Sequence, residues 1–227
     1  MKQLNLQAVM IDLDGTLVDT LGDFEVALNR ALADLQVPVA NRLLIERSIG
    51  KGSEHLIRTV LQHQLAMPEV AGSAQEIEQL FPAVWARYEH HYLSINGEFS
   101  KVFPGVIDGL EQLKNLSLPL ACLTNKPVAF ATPLLHDKGL SSYFAHVFGG
   151  DSFERKKPDP LPLLKTCEAL CSHPNQTLMV GDSSNDAQAA DAAGCPLVLM
   201  TYGYNHGEPI QNVPAMAWLD SLAQLDL

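Results

Sequence analysis

The chain has 227 residues, of which 47% are apolar and 18% charged, a composition typical of a globular protein with a substantial core. It carries 26 acidic side chains and 15 lysines and arginines, and the net charge of −11 argues against nucleic acids and anionic membranes as partners. No stretch approaches the roughly 18 consecutive apolar residues of a membrane span. An anionic ligand would be repelled by the average field of such a chain, so a site for one needs cations of its own.

The cysteines give no sign of a metal site. There are four of them, with no CxxC pair and no second cluster that would indicate zinc. We expect all four to be reduced and mostly buried, and we therefore predict a cytoplasmic location. No signal peptide is expected, because the first apolar run is short and is interrupted by Asp12. The sequence leaves open whether the chain is a monomer or a homodimer.

The first part of the chain is predicted to hold one strand and then helices. Residues 8–11 form a compact apolar run that ends at Asp12, which indicates a buried strand. Apolar residues recur with helical spacing over residues 24–35, and again over residues 56–65 and 77–92. Pro82 is expected to break or restart the last of these helices. No convincing strand is predicted among them.

The second part of the chain alternates between strand and helix patterns. The predicted elements are a helix over 106–113, a strand over 118–123, a helix ending near Gly139, a short run at 147–148, a helix over 161–170, a strand over 177–180, a helix over 186–193 and a strand over 197–200. Such alternation predicts an α/β fold, in which helices flank the parallel sheet of a Rossmann-like core. We assign residues 1–17 and 99–227 to this core and residues 18–98 to an inserted helical cap. An insert there lies over the carboxyl ends of the strands, where open parallel sheets bind ligands.

Polar clusters follow the predicted strands. They occupy residues 12–16, 124–126, 155–160 and 181–186. Because the carboxyl ends of parallel strands meet at one edge of the sheet, the clusters are expected to converge there. This convergence predicts a single functional site.

The acidic residues of these clusters require compensation. Two like charges about 4 Å apart repel by about 4 kcal/mol at an effective dielectric of about 20. No arginine lies close enough in the sequence to Asp12, Asp14, Asp182 and Asp186 to offset them as a fork. A hard divalent cation does so, and Mg²⁺ suits a few carboxylates together with a substrate phosphate.

The residue types suggest a division of labour in phosphate chemistry. A carboxylate can attack phosphorus to form an aspartyl-phosphate, and Asp12 is fixed at the end of a strand. Asp14 can protonate the leaving oxygen and then take a proton from the attacking water. Thr124 and Asn125 can donate hydrogen bonds to the transferring group, and Lys157 is expected to stabilise the charge on its oxygens.

The motifs, taken in order, resemble the four motifs of the haloacid dehalogenase-like phosphohydrolases. The matching segments are residues 12–16, 123–125, 157–158 and 181–186. The resemblance implies that Asp12 is the nucleophile, Asp14 the acid and base, and that Thr124 and Lys157 bind the phosphate. It also implies that the helical segment is the family's small cap, which closes over the site.

The resemblance further implies a metal site and a substrate site. Mg²⁺ would be held by Asp12, the backbone carbonyl of Asp14 and Asp182. Asp186 would stand behind these ligands or join them, or it would serve only as an acid in the first turn of a helix. The residues expected at the substrate are Thr16, Gly50, Lys51, Gly52 and Asn125.

Within the family, the chain is most similar to the bacterial phosphoglycolate phosphatases, through residues 14–20, 49–52 and 157–160. The partner implied is a small phosphorylated metabolite, 2-phosphoglycolate, hydrolysed to glycolate and phosphate, with Lys51 suited to pair with its carboxylate. A sugar phosphate or a nucleotide is the alternative substrate, and a phosphomutase is the alternative activity on the same scaffold. A dehalogenase would not need Asp14, and a regulator without catalysis would usually lack one of the reactive groups.

Overall fold

The structure is a computed structural model, and it describes residues 5–67 and 74–227. The strands of the described residues are β1 (Ala8–Ile11), β2 (Val18–Asp19), β3 (Lys101–Val102), β4 (Leu120–Leu123), β5 (His146–Phe148), β6 (Thr177–Gly181), β7 (Leu197–Met200) and β8 (Ala217–Leu219). The α-helices are α1 (Leu21–Asp34), α2 (Arg42–Ser48), α3 (Ser53–Leu65), α4 (Ala74–Ile95), α5 (Val106–Asn115), α6 (Val128–Asp137), α7 (Leu161–Ala169) and α8 (Ser184–Ala193).

Six of the strands form one sheet in the order β5-β4-β1-β6-β7-β8, and every neighbouring pair is parallel. Every residue of β1, β4, β6 and β7 is buried, as expected of strands that are covered by helices on both faces. The α/β fold with a parallel sheet flanked by helices is therefore confirmed.

The register of the central strands positions the polar clusters. Ile11 at the end of β1 lies opposite Cys122 of β4 and Val180 of β6. The chain leaves all three strands at the same edge of the sheet. Asp12, Thr124 and Asp182 therefore emerge side by side, as the parallel arrangement predicts.

The helices α1 to α4 enclose an apolar cluster of their own, distinct from the main cluster on the sheet. Tyr88 and Tyr92 of α4 are fully buried in it. Phe130 of α6 joins the same cluster, and its ring centroid lies 4.7 Å from that of Tyr92. The helical segment is thus packed against the sheet-bearing segment. The domain boundaries at residues 17–18 and 98–99 stay a prediction.

A second, two-stranded sheet lies where the chain enters and leaves the helical segment. It is antiparallel and pairs Val18 with Val102 and Asp19 with Lys101. Sequence patterns did not predict it, because two residues are too few to show the alternation of a strand. The pairing holds the two connecting segments next to each other.

The expectation that Pro82 breaks or restarts its helix is wrong. Helix α4 runs from Ala74 to Ile95 with Pro82 inside it. A proline in a helix interior costs about 3 kcal/mol or more. The apolar residues on both sides of it, Leu80 before and Val84 after, pack into the same cluster. Since each buried apolar side chain stabilises by roughly 1.5–3 kcal/mol, that packing outweighs the local cost.

Two further elements were not predicted. Helix α2 has only seven residues, although Asn41 caps it by accepting a hydrogen bond from the Leu44 backbone N–H at 2.9 Å. Strand β8 has three residues and lies at the edge of the sheet. Among the described residues, no helix is long and apolar enough to cross a lipid bilayer.

Candidate active site

Asp12 stands at the end of β1 and is almost fully buried. Its Oδ1 atom accepts a hydrogen bond from the Leu13 backbone N–H at 2.7 Å and lies 3.1 Å from Nζ of Lys157. Burial raises the pKa of Asp12 to about 7, with Lys157 opposing the shift and Asp186 and Asp14 adding to it. The carboxylate is therefore held in a site where its charge is poorly compensated by the protein alone.

Lys157 is the buried cation among the three basic residues of its cluster. Its Nζ atom donates to the Leu123 carbonyl at 2.8 Å and to Asp186 Oδ1 at 2.7 Å. Burial acts against its charge, but Asp12 and Asp186 outweigh that effect and raise the pKa of the lysine above its usual value. Lys157 is thus a fixed positive charge beside Asp12.

Asp182 and Asp186 follow β6 and complete an acidic group with Asp12. One carboxylate oxygen from each of the three residues lies within 4.8 Å of the others. Burial raises the pKa of Asp182 well above its usual range, and repulsion from Asp186 and Asp12 adds to this. Hydrogen bonds orient the Asp182 carboxylate: Thr16 Oγ1 donates to Oδ1 and the Tyr204 backbone N–H donates to Oδ2, both at 2.6 Å.

Helix α8 begins beside this group, and Asp186 caps it. Oδ2 of Asp186 accepts from the Ser183 hydroxyl at 2.7 Å and from the Ser183 backbone N–H at 3.1 Å. The other carboxylate oxygen faces Lys157. Asp186 is therefore an acid in the first turn of α8, where it takes part in the capping box. It also lies in the acidic group with Asp12 and Asp182.

Gly15 makes the close packing around Asp182 possible. Its φ is +83°, and a Cβ at this position would lie 2.2 Å from Asp182 Oδ2. Any other residue would both strain the backbone and collide with the carboxylate. The turn after β1 can therefore bring Asp14 back towards the site only with glycine at position 15.

Asp14 contacts Lys126, a residue for which the sequence patterns predicted no role. Lys126 Nζ lies 2.9 Å from Asp14 Oδ1 and 3.3 Å from Oδ2, and its side chain is fully buried. The rings of Phe24 and Tyr92 cover the ammonium group at 4.3 Å and 4.7 Å. The available signal was the position of Lys126, directly after Thr124 and Asn125 at the end of a predicted strand.

The structure separates the residues expected at the substrate into two sets. Thr124, Asn125, Gly50 and Gly52 line a cavity together with Asp12 and Asp14. Asn125 also connects the core to the segment between α2 and α3, residues 49–52, which we call the cap loop. Its Nδ2 donates to the carbonyls of Gly50 at 2.9 Å and Lys157 at 2.8 Å.

Thr16 and Lys51 do not line this cavity. The hydroxyl of Thr16 is used in the hydrogen bond to Asp182. Lys51 lines an adjacent cleft of about 550 Å³, into which Arg58, Lys156 and Lys157 also project. Thr16 and Lys51 were expected at the substrate because their sequence neighbours do line the cavity: Asp14 for Thr16, and Gly50 and Gly52 for Lys51. A motif position does not determine the direction of a side chain.

The buried groups of the site carry a net negative formal charge, which favours binding of a cation. Four buried carboxylates and two buried ammonium groups leave a formal charge of −2. The buried acidic residues are Asp12, Asp14, Asp182 and Asp186, and the lysines are Lys126 and Lys157. Hard oxygen donors within 4.8 Å of one another fit a hard divalent cation such as Mg²⁺. The donor set thus matches the metal that the sequence predicts.

Fold and site together define a class: α/β proteins with a parallel sheet whose central strands end in a buried carboxylate site suited to a divalent cation. The chain belongs to the haloacid dehalogenase-like hydrolases, whose family model matches residues 9–200. The resemblance seen in the four sequence motifs is therefore confirmed.

Individual relatives resemble the chain over nearly its whole length. A phosphoglycolate phosphatase of Thiobacillus denitrificans is 41% identical over 225 residues, which cover 99% of this chain and 96% of the relative. A plasmid-encoded phosphoglycolate phosphatase of Cupriavidus necator is 43% identical over 218 residues, covering 96% and 90%. The crystal structure of a predicted phosphoglycolate phosphatase from Haemophilus somnus superposes with a TM-score of 0.90 at 33% identity and covers 96% of both chains.

Proposed function

We propose that this protein is a Mg²⁺-dependent phosphatase that hydrolyses 2-phosphoglycolate to glycolate and phosphate through an aspartyl-phosphate on Asp12. The observation that carries the proposal is the surroundings of Asp12. Its carboxylate lies at a strand end beside the ammonium group of Lys157 and within the acidic group completed by Asp182 and Asp186. A rigid nucleophile, a fixed cation and a candidate metal site are thus adjacent.

Asp12 is suited to attack on phosphorus. Oδ1 is oriented by the Leu13 backbone N–H and Lys157, so we assign Oδ1 to the metal and Oδ2 to the attack. The ester bond breaks as the new bond from Oδ2 to phosphorus forms, and the phosphoryl group is transferred to the carboxylate. Thr124 lies in the same cavity and can donate to the transferring group, while Lys157 offsets the charge on its oxygens.

Asp14 is suited to proton transfer in both halves of the reaction. It lines the cavity with Asp12, and Lys126, which lines the same cavity, donates to its carboxylate at 2.9 Å. We assign to it the donation of a proton to the leaving oxygen of glycolate. The same carboxylate then takes a proton from water as the water attacks the aspartyl-phosphate, which releases inorganic phosphate and regenerates Asp12.

The metal would be held by the carboxylates of Asp12 and Asp182, the backbone carbonyl of Asp14 and, directly or from behind, Asp186. When bound, Mg²⁺ would neutralise negative charge on the phosphate and on the carboxylates around it. This is consistent with the formal charge of −2 that the buried groups leave in the site.

The preference for a small substrate has support from the cavity and from the relatives. The cavity between the cap loop and Asp12 measures about 20 Å³, which is room for about one water molecule. The cap loop must therefore move to admit any phosphate ester, and a small ester requires the smallest movement. The relatives with 41% and 43% identity carry the name phosphoglycolate phosphatase.

The cysteines bear on the compartment in which the protein acts. All four cysteines are free, and three of them are buried, which supports a reducing compartment and hence the cytoplasm. We propose that the enzyme acts on its small metabolite as a monomer or homodimer, without nucleic acid or membrane partners.

A panel of phosphate esters tests the proposal. The kcat/KM for phosphate release would be measured for 2-phosphoglycolate, a hexose phosphate and a nucleoside monophosphate, with Mg²⁺ and with a chelator. We expect 2-phosphoglycolate to give the highest value and chelation to abolish turnover. An equal or higher value for the sugar phosphate would reject the substrate. An isomerised sugar with little free phosphate would instead indicate the mutase.

A further inference from the structure

The loop that follows β7 connects the acidic group to the cap loop. The backbone N–H of Tyr204 donates to Asp182 Oδ2 at 2.6 Å, and His206 follows two residues later. The imidazole ring of His206 is half-buried and reaches the segment between α2 and α3, residues 49–52. One short loop therefore contacts both the acidic group and the cap.

The ring of His206 is bonded at both of its nitrogens. Nδ1 lies 3.3 Å from the carbonyl of Arg47, at the C-terminal end of α2, and Nε2 lies 3.2 Å from Nδ2 of Asn185. The same Nδ2 lies 3.3 Å from the carbonyl of Gly50. Three segments of the chain thus meet in one run of hydrogen bonds, from Arg47 through His206 and Asn185 to Gly50.

The backbone carbonyls of Arg47 and Gly50, at the two ends of this run, determine the direction of the hydrogen bonds made by His206 and Asn185. A backbone carbonyl only accepts, so the hydrogen of His206 must be on Nδ1, where it faces Arg47. The amide of Asn185 must likewise direct its NH₂ group to Gly50. The second hydrogen of that NH₂ group is then available to Nε2 of His206, which can accept it only while the ring is neutral.

Gly50 has a backbone conformation that favours glycine and lies beside the ring of His206. Its φ is +100°, and a Cβ built on it would lie 3.4 Å from His206 Cε1 and 3.6 Å from Asn185 Nδ2. The contact between the cap loop and His206 is therefore made through backbone, and the carbonyl of Gly50 also accepts from Asn125 at 2.9 Å. Gly50 is fixed from the core by two asparagines, and His206 positions one of them.

We infer that His206 is a positioning residue that holds the cap closed over the site, by bridging Arg47 and Asn185 with a neutral ring. The inference rests on the proposed phosphatase activity only for its kinetic readout. It does not place His206 in contact with the substrate. It predicts that protonation releases the cap loop, because a protonated Nε2 can no longer accept from Asn185 and instead opposes its NH₂ group.

The surroundings of the ring favour the neutral form. Burial lowers the pKa of His206 below its usual value and the ammonium group of Lys51 lowers it further, while the Arg47 carbonyl and Asp186 act in the opposite direction. The titratable and charged groups of the neighbouring segments are Glu46, Arg47, Lys51, His55, Asp182, Asp186 and Glu208. The bridge should therefore be intact at pH 7 and above, and its loss should require a pH below the usual titration range of histidine.

Substitution of His206 by phenylalanine separates the hydrogen bonds from the packing. The H206F variant keeps an aromatic ring of similar size beside Gly50 and removes both bonds. We expect kcat/KM for phosphate release at pH 8 to fall about tenfold relative to wild type, the equivalent of one to two ordinary hydrogen bonds, mainly through KM. The ratio of wild type to H206F should fall towards one as the pH is lowered through the titration of His206, and using a ratio removes pH effects common to both enzymes. H173F, the same change at an exposed histidine near the start of β6, is the matched control and should match wild type.

Hydrogen exchange of the amides of residues 47–52 tests the same inference without turnover. After correction for intrinsic rates, wild-type protection in this segment should be lost as the pH falls from 8 through the titration of His206, and H206F should lack it throughout. A wild-type to H206F ratio that is constant with pH, or protection that does not change with pH, would overturn the inference. A wild type that releases no phosphate would count against the proposed function, while the exchange experiment would still decide the role of His206.

Discussion

The ammonium group of Lys126 lies 2.9 Å from Oδ1 of Asp14, and the lysine side chain has no exposure to solvent. Lys126 follows β4, whereas the rings that cover it, Phe24 and Tyr92, belong to α1 and α4 of the helical segment. The proposed acid and base is therefore oriented by a cation that the helical segment itself encloses. This arrangement couples the packing of that segment to the carboxylate that moves the proton.

Replacement of Lys126 by methionine is expected to impair both turnover and stability. The substitution keeps the aliphatic bulk but leaves the Asp14 carboxylate buried without its partner, and breaking a buried ion pair in this way costs about 3–5 kcal/mol. We expect the free energy of unfolding from urea titration to fall by about that amount, and kcat to fall about 100-fold as the acid and base loses its orientation.

The double variant D14N/K126M separates the role of Lys126 in orienting Asp14 from the loss of stability caused by an unpaired buried charge. With both charges removed, most of the lost stability should return while turnover stays absent, because the proton-transfer group is gone. K165M, at an exposed lysine paired with Glu168, should leave both quantities unchanged. A K126M enzyme with wild-type kcat would show that Lys126 does not orient Asp14 for catalysis.

Asp12→Asn should remove turnover and leave the fold intact. The amide cannot form an aspartyl-phosphate, and its neutrality relieves the desolvation and repulsion that raise the pKa of Asp12. Lys157 keeps its bond to Asp186. We therefore expect kcat below detection and a Tm equal to or above that of the metal-free wild type, measured by phosphate release and by circular dichroism. Measurable turnover by pure D12N would exclude Asp12 as the nucleophile.

The sequence was sufficient to predict the parallel sheet and the convergence of its polar clusters, because both follow from patterns local to each strand. Asp12 and Asp182 had to meet once β1 and β6 were adjacent and parallel. The interruption at Pro82 was mispredicted because local propensity took no account of the cluster that packs on both sides of it.

Side-chain partners distant in sequence could not be predicted. The hydroxyl of Thr16 is 166 positions from Asp182, to which it donates, and no periodicity reports that contact. Lys126 lacked a role for the same reason, since its aromatic neighbours come from helices whose packing the sequence leaves undetermined. Backbone patterns predict where a residue emerges from the sheet, whereas the direction of its side chain depends on tertiary packing.

Metal binding should stabilise the protein more at pH 8 than at pH 5.5. The folded-state pKa of Asp12, about 7, lies above its unfolded value of about 3.8, so this group contributes stability below about pH 3.8 and loses that contribution as the pH rises towards 7. At pH 8 repulsion among the ionised, buried carboxylates destabilises the metal-free protein, and a bound divalent cation offsets that repulsion. At pH 5.5 protons compete with the cation for the same oxygens.

Thermal unfolding with chelator and with Mg²⁺ at the two pH values measures this difference. We expect the Tm increase on adding Mg²⁺ to be at least twice as large at pH 8, and D12N to show a smaller increase at both. An increase that is equal at the two pH values would contradict the competition between protons and metal at Asp12.

The cleft beside the catalytic cavity should attract anionic substrates despite the net charge of −11. It is lined by Lys51 and Lys156, whereas Arg58 in the same cleft is bonded to Glu54 at 2.9 Å and Glu78 at 2.6 Å. The K51A/K156A variant should therefore lower kcat/KM for 2-phosphoglycolate about tenfold at low ionic strength, and its kcat/KM should depend less steeply on salt than that of wild type. K114A/K165A is the matched control, since it removes two lysine charges that do not line the cleft, and its salt dependence should equal that of wild type. Salt screens long-range attraction but leaves the buried contacts around Asp12 largely unaffected, so the salt dependence reports on steering alone. A K51A/K156A enzyme with an unaltered salt dependence would therefore show that these two lysines do not steer the substrate.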